Sequence, residues 1–240
     1  MAKRLFDLLF AAVALVITLP ILMPACFLIW LQDGHWPLYA GLRVGRDGRD
    51  FRMVKLRTMV ADGERLGGSS TAISDSRLTP IGSLLRRYKI DELPQFWNVL
   101  VGEMSVVGPR PNVRNGGVDR YTPDELRLLS LRPGITDPAS IVFSDEGEIL
   151  NGSPDPDALY DLVIRPWKNR LALLYVEHRN ILTDLELVAL TLLALFSRRA
   201  ALRGVSAMLR RWNAPAELRR ICSRSEPLPI GEPPGRLACP

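Results

Sequence analysis

Asp91-Glu92-Leu93-Pro94-Gln95 sets two carboxylates side by side, and further on Gly108-Pro109-Arg110-Pro111 holds an arginine between prolines. An ionised carboxylate can attack phosphorus or hold a hard divalent cation, and a guanidinium neutralises phosphate oxygens through paired, planar hydrogen bonds. The combination points to phosphate chemistry. Prolines on both sides of Arg110 restrict the backbone and help to aim the side chain. Asp91 also reads as the start of a helix over 91–101, with Glu92 in the first turn, Pro94 early, and apolar Phe96, Trp97, Val99, Leu100 and Val101 following. The dipole of such a helix would favour the ionised form of Asp91. Asp followed by Glu at a helix start also serves as a plain cap, so this segment alone leaves capping and catalysis both open.

Around the dyad the sequence predicts short elements. Residues 33–60 mix Gly, Pro and alternating apolar positions, as expected of a hairpin, and 61–76 are small and polar, a mobile loop. A helix is predicted over 80–88, then the 91–101 helix, then a strand over 104–107 that delivers the Pro-Arg-Pro turn. Residues 112–122 form a Gly- and Asn-bearing loop, and Thr122-Pro123-Asp124-Glu125 has a Thr cap with Glu three residues on, opening a helix to about 131. The acidic stretch 144–157 reads as an irregular connection. Helices at 157–180 and 184–197 follow, the second opened by Thr183 and Glu186 as a capping box. No internal repeat is evident.

Leu8 to Leu31 carries no charged residue over 24 positions, enough for a helix to cross a hydrocarbon core about 30 Å thick. The run exceeds the h-region of a cleaved signal peptide and lacks a small-residue cleavage pattern, so it reads as a retained anchor. Pro20 and Pro24 fall inside it, and both flanks are basic: Lys3 and Arg4 before it, Arg43, Arg46, Arg49, Arg52, Lys55 and Arg57 after it. Basic flanks mark the cytoplasmic side, so a re-entrant helix with both ends on one face fits the charges; a Pro-kinked single span fits the length equally. Near the other end, Arg198, Arg199, Arg203, Arg210 and Arg211 alternate with Leu202, Val205, Met208, Leu209 and Trp212, an interfacial amphipathic helix. A core helix with a solvated basic face has the same pattern. From Asn213, Pro and Arg recur without period, predicting a flexible tail.

With 240 residues the chain accommodates one catalytic unit with a real core plus peripheral segments. Its net charge of +5, from 31 Lys and Arg against 26 Asp and Glu, suits anionic lipid and phosphorylated substrates. No helix-turn-helix, zinc or RNA-binding motif appears, so nucleic acid is not expected as a partner. Cys26, Cys222 and Cys239 are far apart and predict a reduced protein, and His35 and His178 supply too little for a histidine metal centre or a Ser-His-Asp triad.

The run Asp75-Ser76-Arg77-Leu78-Thr79-Pro80 through Arg86-Arg87, the acidic dyad, Asn98 through Val107 and the Pro-Arg-Pro resemble the bacterial sugar transferase family, the monotopic polyprenyl-phosphate glycosyl-1-phosphate transferases. Arg43-Val44-Gly45-Arg46-Asp47-Gly48, Phe51 through Met59 and Arg132-Pro133-Gly134-Ile135-Thr136 match further family motifs, and the resemblance covers about residues 3–191. Gly41-Leu42, Ile90, Ala172 and Asp137-Pro138-Ala139-Ser140 depart from the commoner pattern; Ala172 and Ser140 bear on sugar contacts more than on chemistry.

The resemblance implies transfer of a sugar-1-phosphate from a nucleotide diphosphate sugar, usually a UDP-sugar, to polyprenyl phosphate. It implies Asp91 as nucleophile, Glu92 as its orienting or acceptor-assisting partner, and Mg²⁺ held by Asp91 with substrate phosphates. Arg110 and Arg132 are expected as phosphate or nucleotide clamps, with Lys55, Arg57, Arg77 and Arg86 as further substrate contacts; Gly45 and Gly134 are expected as turn formers. The expected location is the bacterial inner membrane with the site facing the cytosol, membrane lipids are further partners, and there is room for a homodimer. A silent membrane scaffold for polysaccharide enzymes and a membrane-tethered phosphohydrolase are the rivals.

The fold expected is α+β and predominantly helical. Residues 1–32 form the re-entrant membrane helix, 33–191 the cytosolic catalytic domain with short strands, 192–212 the basic interfacial helix and 213–240 the flexible tail.

Overall fold

The computed structural model describes residues 2–63 and 70–235. Part of the loop predicted over 61–76, at 64–69, lies outside them, as do Cys239 and the end of the tail. Helix α1 (Ala2–Asp33) is the one described helix long and apolar enough to cross a membrane. The family resemblance implies a re-entrant hairpin with its break near Pro20, yet the helix runs on through Pro20 and Pro24. Each proline still removes a backbone donor, and the Thr18 hydroxyl bonds the Ala14 carbonyl at 2.7 Å, a contact that bends helices.

Both ends of α1 are tied to the rest of the chain. Lys3 Nζ reaches Asp184 at 2.6 Å and the Val107 carbonyl at 3.0 Å, and Arg4 donates to the carbonyls of Val99 and Leu100. At the far end Asp33 accepts two bonds of 2.6 Å from Arg57, while Leu22, Ala25 and Ile29 pack with Leu56 and Leu85. Between these ties Val13, Val16 and Ile17 are exposed.

Strands β1 (Leu38–Val44) and β2 (Asp50–Leu56) form the expected hairpin, antiparallel with Leu38 opposite Leu56. Thr79 caps α2 (Pro80–Arg87), accepting from the Gly82 amide at 2.9 Å. The Gly82 backbone passes so close to Thr58 that a Cβ there would fall 1.9 Å from its carbonyl oxygen. A tight 3₁₀ turn, Ile90–Glu92, leads through Pro94 into α3 (Gln95–Val101). The predicted 91–101 helix is thus two pieces, and Lys89, in the left-handed region at φ 57°, stands at the cap in place of Asp91. β3 (Ser105–Val107) pairs in parallel with β4 (Gly134–Thr136), Ser105 opposite Gly134.

The helical part comprises α4 (Pro138–Val142), α5 (Glu146–Ile149), α6 (Pro156–Leu159), α7 (Arg165–His178), α8 (Ile181–Phe196), α9 (Arg198–Arg211) and α10 (Ala216–Ser223), with a π-helical turn joining α6 to α7. Val107, Val142, Leu171, Tyr175, Leu187, Val205 and Leu209 share the main core. Thr122 and Glu125 exchange the reciprocal bonds of a capping box, but the segment they open is a 3₁₀ helix, Glu125–Ser130. Asn180, not Thr183, caps α8, accepting from the Thr183 amide at 2.9 Å, and Thr183 donates instead to the His178 carbonyl.

The predicted basic helix forms as α9, but Ala201, Leu202, Val205, Met208 and Leu209 are buried among protein neighbours. Its apolar face is covered by the core, and only its arginine face is left to solvent. The outward apolar surface belongs to α8, where Leu182, Leu185, Leu192 and Phe196 are exposed. The tail does not run free over 213–235 either. After α10 it crosses the π-helical turn and the start of α7, where Trp167 Nε1 donates to the Pro229 carbonyl at 3.0 Å and the Gly231 amide donates to the Leu162 carbonyl at 2.9 Å.

Candidate active site

Three chain segments converge on Glu92. The 3₁₀ turn supplies the carboxylate, β2 supplies Lys55, and the turn after β3 supplies Arg110. Lys55 Nζ sits 3.0 Å from Glu92 Oε1, and Arg110 grips the same carboxylate with both terminal nitrogens, Nη1 at 3.3 Å from Oε2 and Nη2 on Oε1. Burial alone would raise the Glu92 pKa, but Arg110 and Lys55 together hold it well below the usual carboxylate range. Glu92 in turn raises the pKa of Arg110, while burial lowers that of Lys55 against the pull of Glu92. Glu92 is therefore a permanently charged anchor for two cations.

Asp91 is placed differently. It is 5% exposed, and no side chain among the described residues donates to its carboxylate. Burial, then the charge of Glu92, push its pKa up, while Lys55, Arg86 and Lys89 oppose the shift. A carboxylate without a hydrogen-bond partner, set in a cationic surround, is available as a nucleophile. It also fits the way Mg²⁺ is usually bound, through one or two carboxylates plus substrate phosphates rather than an all-protein cage. Among the described residues no cluster of three or more His, Cys, Asp or Glu could hold a metal ion by itself.

The local sequence explains how these groups are held. Asn98, mid-helix in an apolar run, accepts from the Val54 amide at 2.9 Å and donates to the Arg52 carbonyl at 2.7 Å, fixing α3 and the dyad turn against β2 and Lys55. Gly108 and Gly134 bring the Pro-Arg-Pro turn against Arg132-Pro133-Gly134: a Cβ on Gly134 would lie 2.1 Å from the Gly108 nitrogen. Gly134 is a close-approach glycine, and its amide bonds the Pro109 carbonyl at 2.9 Å, next to Arg110.

The other predicted cations are spread more widely. Arg86 is half-buried against Thr58, bonding its hydroxyl at 2.9 Å, and feels Asp91, Asp75 and Glu92. Arg77 forks onto Asp75, Nη2 to Oδ2 at 2.6 Å, in the segment leading to α2. Arg57 is occupied with Asp33 and the Trp36 carbonyl at the end of α1, and Arg132 bonds the Gly102 carbonyl at 2.8 Å with Arg4, Arg46 and Asp7 as its charged surroundings. The structure thus gathers Asp91, Glu92, Lys55, Arg86 and Arg110, and sets Arg57 and Arg132 on the side of α1.

A second buried network was not predicted. Asp7, 1% exposed, accepts from the Ser105 hydroxyl at 2.9 Å and the Val106 amide at 3.0 Å. Lys3 and the Tyr175 hydroxyl both donate to the Val107 carbonyl and both meet Asp184. Burial and the neighbouring Asp184 raise the Tyr175 pKa, so the phenol stays a donor. These groups hold β3, two residues before the turn that carries Arg110. The signal was an acid, Asp7, just ahead of the uncharged run and two turns into a helix, but its partners lie about a hundred positions away.

A free, partly cation-compensated carboxylate beside a locked carboxylate–guanidinium–ammonium group, joined to a long apolar helix, defines a membrane-associated site for phosphate chemistry. The profile of the family described as bacterial sugar transferase matches residues 1–198, and the chain belongs to that family. It is similar to a UDP-N-acetylgalactosamine-undecaprenyl-phosphate N-acetylgalactosaminephosphotransferase of Aeromonas hydrophila, 38% identical over 58% of this chain and 34% of that protein. It is also similar to the galactosyl transferase CpsE of Streptococcus agalactiae, 33% identical over 80% of this chain and 41% of that protein. The exopolysaccharide production protein PSS of Rhizobium leguminosarum is 37% identical over 56% of this chain and 70% of its own length. The chain thus spans about a third of the Aeromonas protein.

Proposed function

We propose that this protein transfers a sugar-1-phosphate from a UDP-sugar to undecaprenyl phosphate, releasing UMP, as the first membrane step in building a surface polysaccharide or glycoconjugate. The observation that carries the reading is the split state of the dyad: Asp91 lacks a partner while Glu92 is pinned by Lys55 and Arg110. An Asp91 oxygen attacks the phosphorus that bears the sugar, the bond from that phosphorus to the bridging oxygen breaks, and UMP leaves with the bridging oxygen. A phosphate oxygen of the lipid then attacks the same phosphorus, the aspartyl–phosphorus bond breaks, and Asp91 is regenerated as a carboxylate. Glu92 keeps Arg110 and Lys55 facing the reacting phosphate, where they offset its negative charge. Asp91, together with the substrate phosphates, would hold Mg²⁺, which would supply further neutralisation of the diphosphate.

We place the site at the cytosolic face of the bacterial inner membrane, with α1 re-entering that face. What supports this is the attachment of both α1 termini to one body, through Lys3 and Arg4 at one end and Asp33 at the other, with an exposed apolar stretch between. Membrane lipid would cover that stretch together with Trp97 and Val101 of α3 and the outer face of α8.

The test is direct. Purified protein is incubated with Mg²⁺, undecaprenyl phosphate and a panel of UDP-sugars, and UMP and the lipid product are measured. UMP release with a lipid-linked sugar diphosphate is expected; UMP release only as hydrolysis, or none with any donor, refutes the transfer.

A further inference from the structure

Near Arg110 lies a second pair of carboxylates that the transfer steps leave unused. Arg110 feels Glu146 and Asp137 after Glu92, and Glu146 feels Lys89, which also faces Asp91 and Glu92. Both acids therefore lie within electrostatic reach of Arg110, and Asp137 directly follows Thr136, whose carbonyl takes the Gly108 amide at 3.0 Å, two residues before Arg110. Each has one oxygen anchored and one to spare. Asp137, 1% exposed, caps α4 with Oδ1, which takes the Ser140 amide at 2.7 Å and the Ser140 hydroxyl at 2.6 Å, while Oδ2 is buried without any donor. Glu146 Oε2 is paired with Lys168, whose ammonium lies 5.3 Å from the centre of the Tyr160 ring, and nothing described donates to Oε1.

Leaving a buried acceptor unpaired is unfavourable, and an unmet acceptor in a native fold calls for a donor such as a ligand hydroxyl. The backing of this pair is rigid. Asp145, next to Glu146, is gripped by Arg198 at 2.8 Å and Arg224 at 2.7 Å. We propose that Asp137 and Glu146 form the subsite that hydrogen-bonds hydroxyls of the donor's sugar and so selects which sugar is transferred, an inference that rests on the transferase reading above.

The chemistry narrows the ligand. Two carboxylates repel phosphate, and Lys168 and Arg110 already offset their charge, which leaves little pull for another cation. A neutral group rich in hydroxyls fits. A nucleotide sugar carries such hydroxyls on its ribose and on its sugar, and the sugar is the one attached to the phosphorus that Asp91 attacks, so it lies next to the dyad. Carboxylates are strong acceptors for hydroxyl donors, and a site built to pair a hydroxyl rejects the analogue that lacks or misplaces it.

The full-length protein carrying Asp137→Asn, Glu146→Gln or Glu146→Asp is compared with the parent on UDP-sugars that differ in one hydroxyl configuration or in a 2-acetamido group. Asp137→Asn retains an oxygen for the α4 cap, and Glu146→Asp retains the charge for Lys168 while withdrawing the acceptor by one methylene. The best donor is expected to lose about tenfold or more in kcat/KM, poorer donors less than about threefold, and UDP affinity in competition is unchanged. Loss of affinity for UDP itself would assign the pair to the ribose, and an equal loss for every donor would make it electrostatic support for Arg110; either overturns the sugar subsite, as does no loss at all. Should the parent turn over no donor, the transferase reading fails separately. The subsite is then judged by whether the parent binds a UDP-sugar more tightly than UDP and Glu146→Gln erases that margin; without such a margin it falls too.

Discussion

Removing the Asp7 side chain tests whether α1 is an anchor alone or also a part of the catalytic frame. The carboxylate is buried and satisfies two donors on β3, the Ser105 hydroxyl and the Val106 amide. A hydrogen bond to a charged acceptor contributes about 1.5 kcal/mol or more, so Asp7→Ala forfeits about 3 kcal/mol and leaves the Val106 amide unpaired in the core. For a chain of this size about 1 kcal/mol moves Tm by about 2–4 °C, which predicts a drop of about 6–12 °C. Asp7→Asn keeps an oxygen for the amide and loses mainly the charge, about 1 kcal/mol and correspondingly fewer degrees. The same change loosens the strand that delivers Arg110, and a misplacement of about 1 Å at a reacting centre can cost about a hundredfold. UMP formation from donor alone should therefore slow at temperatures where the Ala variant is still folded and membrane-bound. The assays are thermal melting in nanodiscs and rapid-quench UMP measurement at a temperature well below both melts. An Asp7→Ala protein that melts with the parent, or that forms UMP at the parental rate, refutes the assignment of Asp7 as a positioning residue for Arg110.

Asp91→Asn should abolish transfer while changing Tm by no more than a few degrees, because no described side chain depends on its charge through a hydrogen bond; activity assay and melting curve together decide this. Glu92→Gln should be severely impaired and also less stable, since it strands Lys55 and Arg110 against each other, and a broken buried pair costs about 3–5 kcal/mol, less here because Arg110 is partly solvated. Val205→Asp should unfold the domain rather than release it from membranes, because Val205 is 0% exposed; an intact but soluble protein would return α9 to the lipid interface. Single cysteines at positions 2 and 36, in a background without the native cysteines, should both be labelled only from the cytosol, and periplasmic labelling at position 2 would establish a full span.

The parts of this molecule legible in the sequence were those whose information is local. The hairpin of β1 and β2 follows from alternation, the Thr122–Glu125 box from a four-residue pattern, and the dyad and Pro-Arg-Pro from residue types at fixed spacing. The pattern of α9 was also read correctly as amphipathic, but amphipathicity states that a face is covered and not by what. Only the packing of Val205, Met208 and Leu209 on the core decided between lipid and protein. The docked tail escaped because its periodic part is short, α10 with Leu218, Ile221 and Cys222 in the core, and the rest is held by single contacts such as Trp167 to Pro229 and Gly231 to Leu162. Asp7 was missed for the same reason, and Asn180 because Thr183 and Glu186 offered an equally good capping signature three residues later.

The position of the dyad relative to the apolar surface has a physical reason within α3. Six residues after Asp91 the chain exposes Trp97, and one helical turn on it exposes Val101, while Phe96 packs at 6.0 Å, ring centre to ring centre, against Phe10 of α1. The helix that follows Asp91 therefore presents indole and valine outward on one side and is welded to the apolar α1 on another. On the proposed reading a phosphate on a lipid tail stays at the head-group layer and the nucleotide sugar stays in water, so Asp91 acting on both would have to stand within a few ångströms of the boundary. Trp is favoured at that boundary, where its ring lies in the apolar layer and its N–H meets water. Replacing Trp97 with Glu would draw this edge of α3 into water without touching Asp91, Glu92 or Arg110. The expected result is a kinetic split: KM for undecaprenyl phosphate rises several-fold, while KM for the UDP-sugar and the acceptor-free UMP step hold. Equal damage to both half-reactions would mean that Trp97 supports the fold of the dyad rather than its approach to the lipid.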